Sequence, residues 1–469
     1  MRNFRIEKDS LGAVQVPADA YWGAQTQRAI DNFPVSGITF TAAFIRAFAL
    51  IKRASATVNR RLGGLDSRAA RAIIRACDEV SRGKLADQFP LDVFQTGSGT
   101  STNMNVNEVI ATRANELLTR RKNTKAPIHP NDHVNMGQSS NDVFPTAIHV
   151  SAALETRGLL LPALTHLLKA IEAKARKHRG VVKTGRTHLM DAMPITLAQE
   201  MSGWATQVDN AVGRIQIVLP RVCELAIGGT AVGTGVNTDR RFGGLVAKEL
   251  SSLTGMKFKE ARNHFEAQSA QDGIVELSGH LKAYASALLK IANDLRWMNS
   301  GPIAGLGEIR LPALQPGSSI MPGKVNPVIA ESARMVAVQV MGNDTVIAVA
   351  NGLGDFQLNV MMPVIAHNIL QSITLLASVS RLLADKALAG FEVDDQRMAD
   401  FLHQNPILAT VLNPVIGYDR AAEVVKRAIK EKKTIKQIVV EAGYLSEVEA
   451  ERILDPATMT GQGVPRRRK

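Results

Sequence analysis

Residues 197–225 read LAQEMSGWATQVDNAVGRIQIVLPRVCEL. Within them Leu197, Met201, Trp204, Val208, Ala211, Ile215, Val218, Val222 and Leu225 follow an alternating four–three spacing. That rhythm lays one apolar stripe along a helix, the seam along which the helices of a bundle pack. The spacing returns in Leu277, Leu281, Tyr284, Leu288, Ile291, Leu295 and Met298, and again in Met362, Ile365, Ile369, Ser372, Leu376, Val379 and Leu383. A shorter helix is expected through Leu160, Leu161, Leu164, Leu167, Leu168 and Ile171, and a fifth through Met335, Val338, Gly342, Thr345 and Val349. Pro220 is expected to kink or shorten its helix. Five long helices with Ala and Gly beside the stripe predict close antiparallel packing. Helices of this length outgrow the core of one chain, so a symmetric oligomer is expected.

Working outward from the bundle, residues 1–138 mix short helical stretches with loops rich in Gly, Ser, Thr and Asn. They read as an N-terminal domain, residues 139–390 as the central bundle, and residues 391–469 as a small helical C-terminal domain. In that last segment Thr434 with Gln437, and Ser446 with Glu449, have the spacing of helix capping boxes. The fold class is mainly α.

Composition agrees with this division. A chain of 469 residues holds about three domains at about 150 residues each. Hydrophobic residues make up 45% and charged residues 21%, the balance of a soluble globular protein. Only 4% are aromatic, which suits closely packed helices better than sandwiches or barrels. Cys77 and Cys223 cannot build a disulfide framework, and neither belongs to a CxxC pattern. The first residues, MRNFRIEKDS, lack an apolar signal region, and no stretch approaches about 18 uninterrupted apolar residues. The expectation is a cytoplasmic protein with no membrane span. The net charge of +13 is spread along the chain, with its densest cluster at Arg466, Arg467, Arg468 and Lys469. With so few aromatics to stack on bases, nucleic acid is not expected as a partner.

Polar residues concentrate in four loops: GSGTSTNMN (97–105), HPNDHVNMGQSSND (129–142), GRTHLMDAMP (185–194) and GSSIMPGKVNP (317–327). Hydroxyls, amides, backbone donors and helix N-termini together suit a carboxylate or another oxyanion. Other chemistries fail on spacing. GSSIMPGK puts five residues between its glycines and follows Lys324 with Val325, so it is not a phosphate-binding P-loop. GGTAVGTG from Gly228 lacks the dinucleotide spacing, and no GxSxG elbow exists. His129 and His133 stand four apart without an HExxH context, and no metal site is expected.

These loops carry a resemblance. GSSIMPGKVNP resembles the signature of the fumarase/aspartase superfamily. Nearly end to end the chain is similar to class II fumarate hydratases, through YWGAQTQRA (21–29), GSGTSTNMN, HPND, QSSND, GRTHL and LNPVIGYDRAA (412–422). His188 stands where aspartate ammonia-lyases have GRTQL, and Gly323 where they usually carry Ala, so the ammonia-lyase is the alternative. A non-catalytic helical scaffold is a further one, against which the retained polar signature speaks.

The resemblance implies a core of five helices per subunit, twenty in a homotetramer, with each active site shared between three subunits. It implies reversible hydration of fumarate to L-malate in the tricarboxylic acid cycle, with a small dicarboxylate as substrate and no cofactor or metal. By resemblance Ser318 is the base, and His188, partnered by Glu331, acts on the water or departing hydroxyl. Ser98, Gly99, Thr100, Ser139, Ser140, Asn141, Thr187, Ser319, Lys324, Val325 and Asn326 are the implied substrate contacts. His129, Pro130, Asn131 and Asp132 match a secondary dicarboxylate site. There Ala126 stands where an arginine is common, with Lys125 adjacent. The positive surplus would steer a dianionic substrate inward.

Overall fold

The computed structural model describes residues 3–461, so the basic cluster at 466–469 lies outside the described residues. Seventeen α-helices dominate, and among the described residues every β-pairing is a sheet of only two strands.

The stripes that define the bundle are buried. Leu197 through Val222 at the positions named above lie at 0% exposure along the helix Leu197–Val222, and Leu225, just past its end, is buried as well. Those of Asp272–Met298 and Met362–Leu382 are equally buried, as are Leu164, Leu167 and Ile171 of Leu161–Lys177. Pro220 lies inside the last turn of its helix, which ends two residues later.

The fifth stripe corrects the expectation. In the helix Val328–Asn351 the buried face is Ala330, Ala333, Ala337, Val340, Ile347 and Ala350. Met335, Val338 and Val349 are 60–68% exposed, and Gly342 and Thr345 face outward with them. This helix is apolar on both faces; its alanines allow the close inner approach, and the larger residues point away from the chain's own core.

The helical run Met362–Leu388 is long and apolar enough to cross a membrane by length and composition, with a mean hydropathy of 1.4. In its most apolar window 67% of residues are buried in the protein interior.

By contacts the chain gathers into two compact units, and their boundaries fall within or beside the long helices. The first comprises residues up to 162, 211–285 and 336–377. Its centre is a group of rings in which Phe44, Phe48 and Phe144 meet edge to face at 5.1–5.6 Å, with Phe40 against Phe44 at 4.5 Å. The buried Glu108 ties the start of the helix Ala24–Asn32 into this unit, accepting from the backbone N–H groups of Gly23, Gln25 and Thr26 and from the Thr26 hydroxyl.

The second unit comprises residues 163–210, 286–335 and those from 378 onward. A hairpin of Val182–Thr187 and Met190–Thr196 rises from it, inside a segment whose polar residues had suggested only a loop. The C-terminal helices enclose their own core of Leu408, Leu412, Val424, Ile438 and Val439, with Met193 of the hairpin packed against it. Both expected capping boxes form, Thr434 with Gln437 and Ser446 with Glu449.

A fully buried carboxylate anchors the hairpin. Glu308 Oε1 accepts from Arg186 Nη1 at 2.7 Å, and its Oε2 lies 3.2 Å from Lys183 Nζ. Lys183 is shared with Glu200 at 2.6 Å, while Arg186 also lies over the Phe401 ring. Removing one member of a buried ion network leaves its partner's charge uncompensated. Glu308→Ala is therefore expected to destabilise the protein by about 3–5 kcal/mol, read as a lower midpoint in urea unfolding. An unchanged midpoint would show that Arg186 finds another partner.

Candidate functional site

The first unit brings together the loops 97–105 and 129–142. Gly99 (φ 72°) is the N-cap of the helix Thr100–Thr119, and a Cβ there would sit 1.9 Å from the Phe144 ring. Only glycine allows both the left-handed backbone and that approach. The close fit sets three hydroxyls in a chain. Ser98 Oγ lies 2.9 Å from Thr100 Oγ1, which lies 2.7 Å from Ser140 Oγ.

Ser139 caps the helix Ser140–Glu155 through a capping box with Asp142, whose Oδ1 accepts from the Ser139 N–H at 2.9 Å. Asp142 Oδ2 accepts from the N–H groups of Gly228 and Thr230, both at 3.0 Å. Burial holds this carboxyl above the usual range even though three N–H donors oppose the shift. Asn141 donates to the Ala231 carbonyl at 2.9 Å. Thr100, Ser139 and Ser140 line a cavity of about 380 Å³ with Asn103, Asn135 and Gln138. Ser139 to Asp142 has the spacing of a capping box, a signal in the sequence that singles out Asp142 as well as the serines.

Behind Asn135 and Gln138 stands Lys52, at 0% exposure on the helix Ala42–Arg61. Nothing in the four polar loops points to it. Its signal is a single Lys followed by Arg in the otherwise apolar run AFALIKRASA.

In the second unit the signature loop folds on itself. Gly317 N–H donates to the Lys324 carbonyl at 2.9 Å, and Asn326 Nδ2 donates to the Gly317 carbonyl at 2.8 Å. A Cβ on Gly317 would lie 2.4 Å from the Lys324 carbonyl oxygen, so the loop closes only over glycine. Ser318 Oγ accepts from the N–H groups of Ile320 at 3.2 Å and Met321 at 3.1 Å. Ser319, Lys324 and Val325 are exposed. Gly323, Lys324, Val325, Asn326 and Glu331 border a cavity of about 640 Å³ together with Arg296, Arg310 and Asp394; Ser318 does not line it.

His188 and Leu189 form the two-residue tip of the hairpin, with φ values of 57° and 60°. Such turns normally take Asn-Gly, and a side chain in this region costs about 1–2 kcal/mol. The strain at this exposed His-Leu tip marks it as a candidate functional segment. Thr187 and His188 are exposed, and among the described residues the side chains of His188 and Glu331 have neither a hydrogen bond nor an ion pair. Other histidines have partners inside the chain. His149 Nδ1 lies 2.8 Å from the Val222 carbonyl, His166 pairs with Asp385 at 2.6 Å, and His264 lies between Ala226 and Glu260.

The HPND segment makes a single helical turn, Pro130–Val134, with His129 as its N-cap. His129 Nδ1 accepts from the Asp132 N–H at 3.4 Å and lies 3.2 Å from Asp132 Oδ2, while Asn131 is exposed. Lys125 Nζ donates to the Lys8 carbonyl. Among the described residues no group of three or more His, Cys, Asp or Glu side chains is arranged to hold a metal ion.

Residues 12–342 match the family model described as Lyase, and residues 408–461 the one described as Fumarase C C-terminus. The chain is 56% identical to "Fumarate hydratase class II" of Xylella fastidiosa strain Temecula1 over 461 residues, 98% of this chain and 96% of that one. It is 54% identical to "Fumarate hydratase class II 2" of Pseudomonas aeruginosa over 99% of this chain and all of the relative. The crystal structure of recombinant class II fumarase from Schistosoma mansoni superposes with a TM-score of 0.95 at 41% identity, covering 98% of this chain and 99% of the other.

The Gly99 contact yields a direct prediction. Gly99→Ala adds an overlap with Phe144 to left-handed strain and is expected to destabilise by about 2–4 kcal/mol. Chemical denaturation read beside turnover checks it; a variant with wild-type stability would mean that the ring moves aside freely.

Proposed function

The chain belongs to the class II fumarate hydratases of the fumarase/aspartase superfamily, and on that premise we propose how its residues share the hydration of fumarate to L-malate and its reverse. In the malate direction the demanding step removes a proton from C3, beside a carboxylate. The carbanion is tolerable only as an aci-carboxylate, with its extra charge on the carboxylate oxygens. Ser318 is the base. The observation that carries this reading is the pair of backbone N–H groups aimed at its Oγ, because a serine oxygen acts as a base only where donors stabilise the alkoxide.

Lys324 and Asn326 take the charge that develops on the carboxylate, and Ser319 donates to substrate from the same loop. His188 protonates the departing hydroxyl, or activates water in the reverse direction, with Glu331 orienting its ring. Ser98, Gly99, Thr100, Ser139, Ser140, Asn141, Thr187 and the Val325 backbone complete the substrate contacts. The chain of hydroxyls from Ser98 to Ser140 supports that grouping.

The working enzyme is a cytoplasmic homotetramer of the tricarboxylic acid cycle, and each site draws on three subunits, so that His188 meets Glu331 across a subunit boundary. Two observations support this. The exposed Met335, Val338 and Val349 form an apolar face that a neighbouring copy would cover. His188, Thr187 and Lys324 stand exposed on the single chain, where none of them can enclose a substrate. The secondary dicarboxylate site at His129, Pro130, Asn131 and Asp132 is weak here, because Lys125 is engaged by the Lys8 carbonyl.

Ultraviolet absorbance of the purified protein with L-malate, beside a sample with L-aspartate, tests the activity. Absorbance should rise with malate alone, and Ser318→Ala and His188→Asn should each lower kcat by about 10²- to 10⁴-fold. A rise with aspartate would make the enzyme an ammonia-lyase, and silence with both would leave a scaffold. Dilution tests the assembly: activity per chain should fall as the tetramer dissociates, and an active monomer would refute the shared site.

A further inference from the structure

Among the described residues Lys52 is the one lysine at 0% exposure, and the proposed chemistry does not use it. Lys52 Nζ donates to Asn135 Oδ1 at 2.8 Å and to Gln138 Oε1 at 3.1 Å. Asn135 Oδ1 also accepts from the amide groups of Asn103 and Asn107, each at 3.2 Å. Three of these four amides, Asn103, Asn135 and Gln138, form the wall of the cavity that Thr100, Ser139 and Ser140 line. Lys52 has no ion-pair partner among the described residues. Asp142 acts on it through space, but its oxygens are already taken by the N–H groups of Ser139, Gly228 and Thr230.

An ammonium shut off from bulk solvent and without a bonded carboxylate is costly to keep. Packing alone would be served better by a methionine of similar length. The amides also matter through their direction: by taking up the oxygens of Asn135 and Gln138, Lys52 turns their acceptor ends away from the cavity. What remains on the cavity side includes the hydroxyls of Thr100, Ser139 and Ser140, and among the described residues no carboxylate is hydrogen-bonded to Lys52.

We propose that Lys52 is a positioning residue for the substrate: from behind the Asn135–Gln138 wall its charge draws and orients one carboxylate of the dicarboxylate in that cavity, and the substrate supplies the missing counter-charge. The proposal rests on the reading that Thr100, Ser139 and Ser140 contact substrate. Lys52 itself touches the wall and not the reacting atoms.

The titration of Lys52 makes this measurable. Burial pulls its ammonium down to about 7, against the opposing influence of Asp142 and Cys77, the ionisable groups acting on it. Burial also raises the Cys77 thiol, which stays neutral in this range. Lys52 is therefore charged below pH 7 and neutral above it. A carboxylate binds the charged form better, so its affinity is full at low pH and is lost as pH rises through 7.

The experiment measures binding of succinate, an unreactive C4 dicarboxylate, by titration calorimetry at pH 6.5 and 8.5 on the assembled wild type, Lys52→Met and Lys52→Arg. The dissociation constant of the wild type should rise between the two pH values by up to about tenfold per unit above pH 7. Lys52→Met should bind about ten- to a hundredfold more weakly at pH 6.5 and lose that rise. Lys52→Arg, charged throughout, should keep its pH 6.5 affinity at pH 8.5.

A folded Lys52→Met that binds like wild type at both pH values overturns the proposal. If Lys52→Met does not fold, equal pH slopes for wild type and Lys52→Arg overturn it instead. The underlying site reading fails separately, if succinate does not compete with fumarate in wild-type turnover.

Discussion

The carboxylate of Asp142 is the point at which the first unit is held in register. It takes the N–H of Ser139 at the start of one helix and the N–H groups of Gly228 and Thr230 from a segment almost ninety residues later. A helix start leaves donors without partners, and a buried loop such as 228–230 has the same problem in the low dielectric of the interior. One carboxylate answers both, which is why it can be buried at all. Ser139, Ser140 and Asn141 are consecutive with that carboxylate, so anchoring Asp142 also fixes the hydroxyls that face the cavity. Phe144, two residues on, turns the same helix into the surface against which Gly99 fits.

The second unit solves the opposite problem. Its polar residues sit on a loop and a hairpin tip that project outward, so their precision must come from backbone closure and from what lies beneath. The signature loop is pinned across its neck by Gly317 with Lys324 and with Asn326. The hairpin is pinned at its base by Glu308 with Arg186 and Lys183. Held at the neck, such segments keep their end points while the tips stay exposed. The signature loop thereby aims two N–H groups at Ser318 Oγ without burying it.

Much of this was legible in the sequence, and the exceptions have physical reasons. Three of the five stripes are buried throughout as their spacing implies, and the shorter one through Leu160 is buried except for the half-buried Leu161 and Leu168, because a helix with one apolar face has only one way to hide it. The fifth misled because Val328–Asn351 carries apolar residues on both of its faces. Periodicity cannot say which of two apolar faces turns inward, and here small alanines did. The capping boxes at Thr434 and Ser446 were readable because they are local; they depend on four consecutive residues and nothing else.

The hairpin at 182–196 was not readable as strands, since its alternation is short and its turn uses His-Leu where Asn-Gly would have announced it. The polar loops stood out by composition, but their grouping came from contacts forty or more residues apart in the chain, as between Thr100 and Ser140. Lys52 was hidden for a related reason. A lysine in an apolar run reads as a side chain that reaches for water, and only the placement of Asn135 and Gln138 shows that this one does not.

The same placement bears on how a chain with a net charge of +13 handles a dianion. Surface charges act at long range and are screened within about 8–10 Å at physiological salt, so they can raise the rate of encounter but cannot orient what arrives. Orientation needs charge that salt does not reach. Lys52 lies at 0% exposure behind one polar wall, and Lys324 stands in the open on the signature loop. The first is buried and weakly screened, the second exposed and strongly screened. Of the two, only the buried one meets that requirement on the single chain.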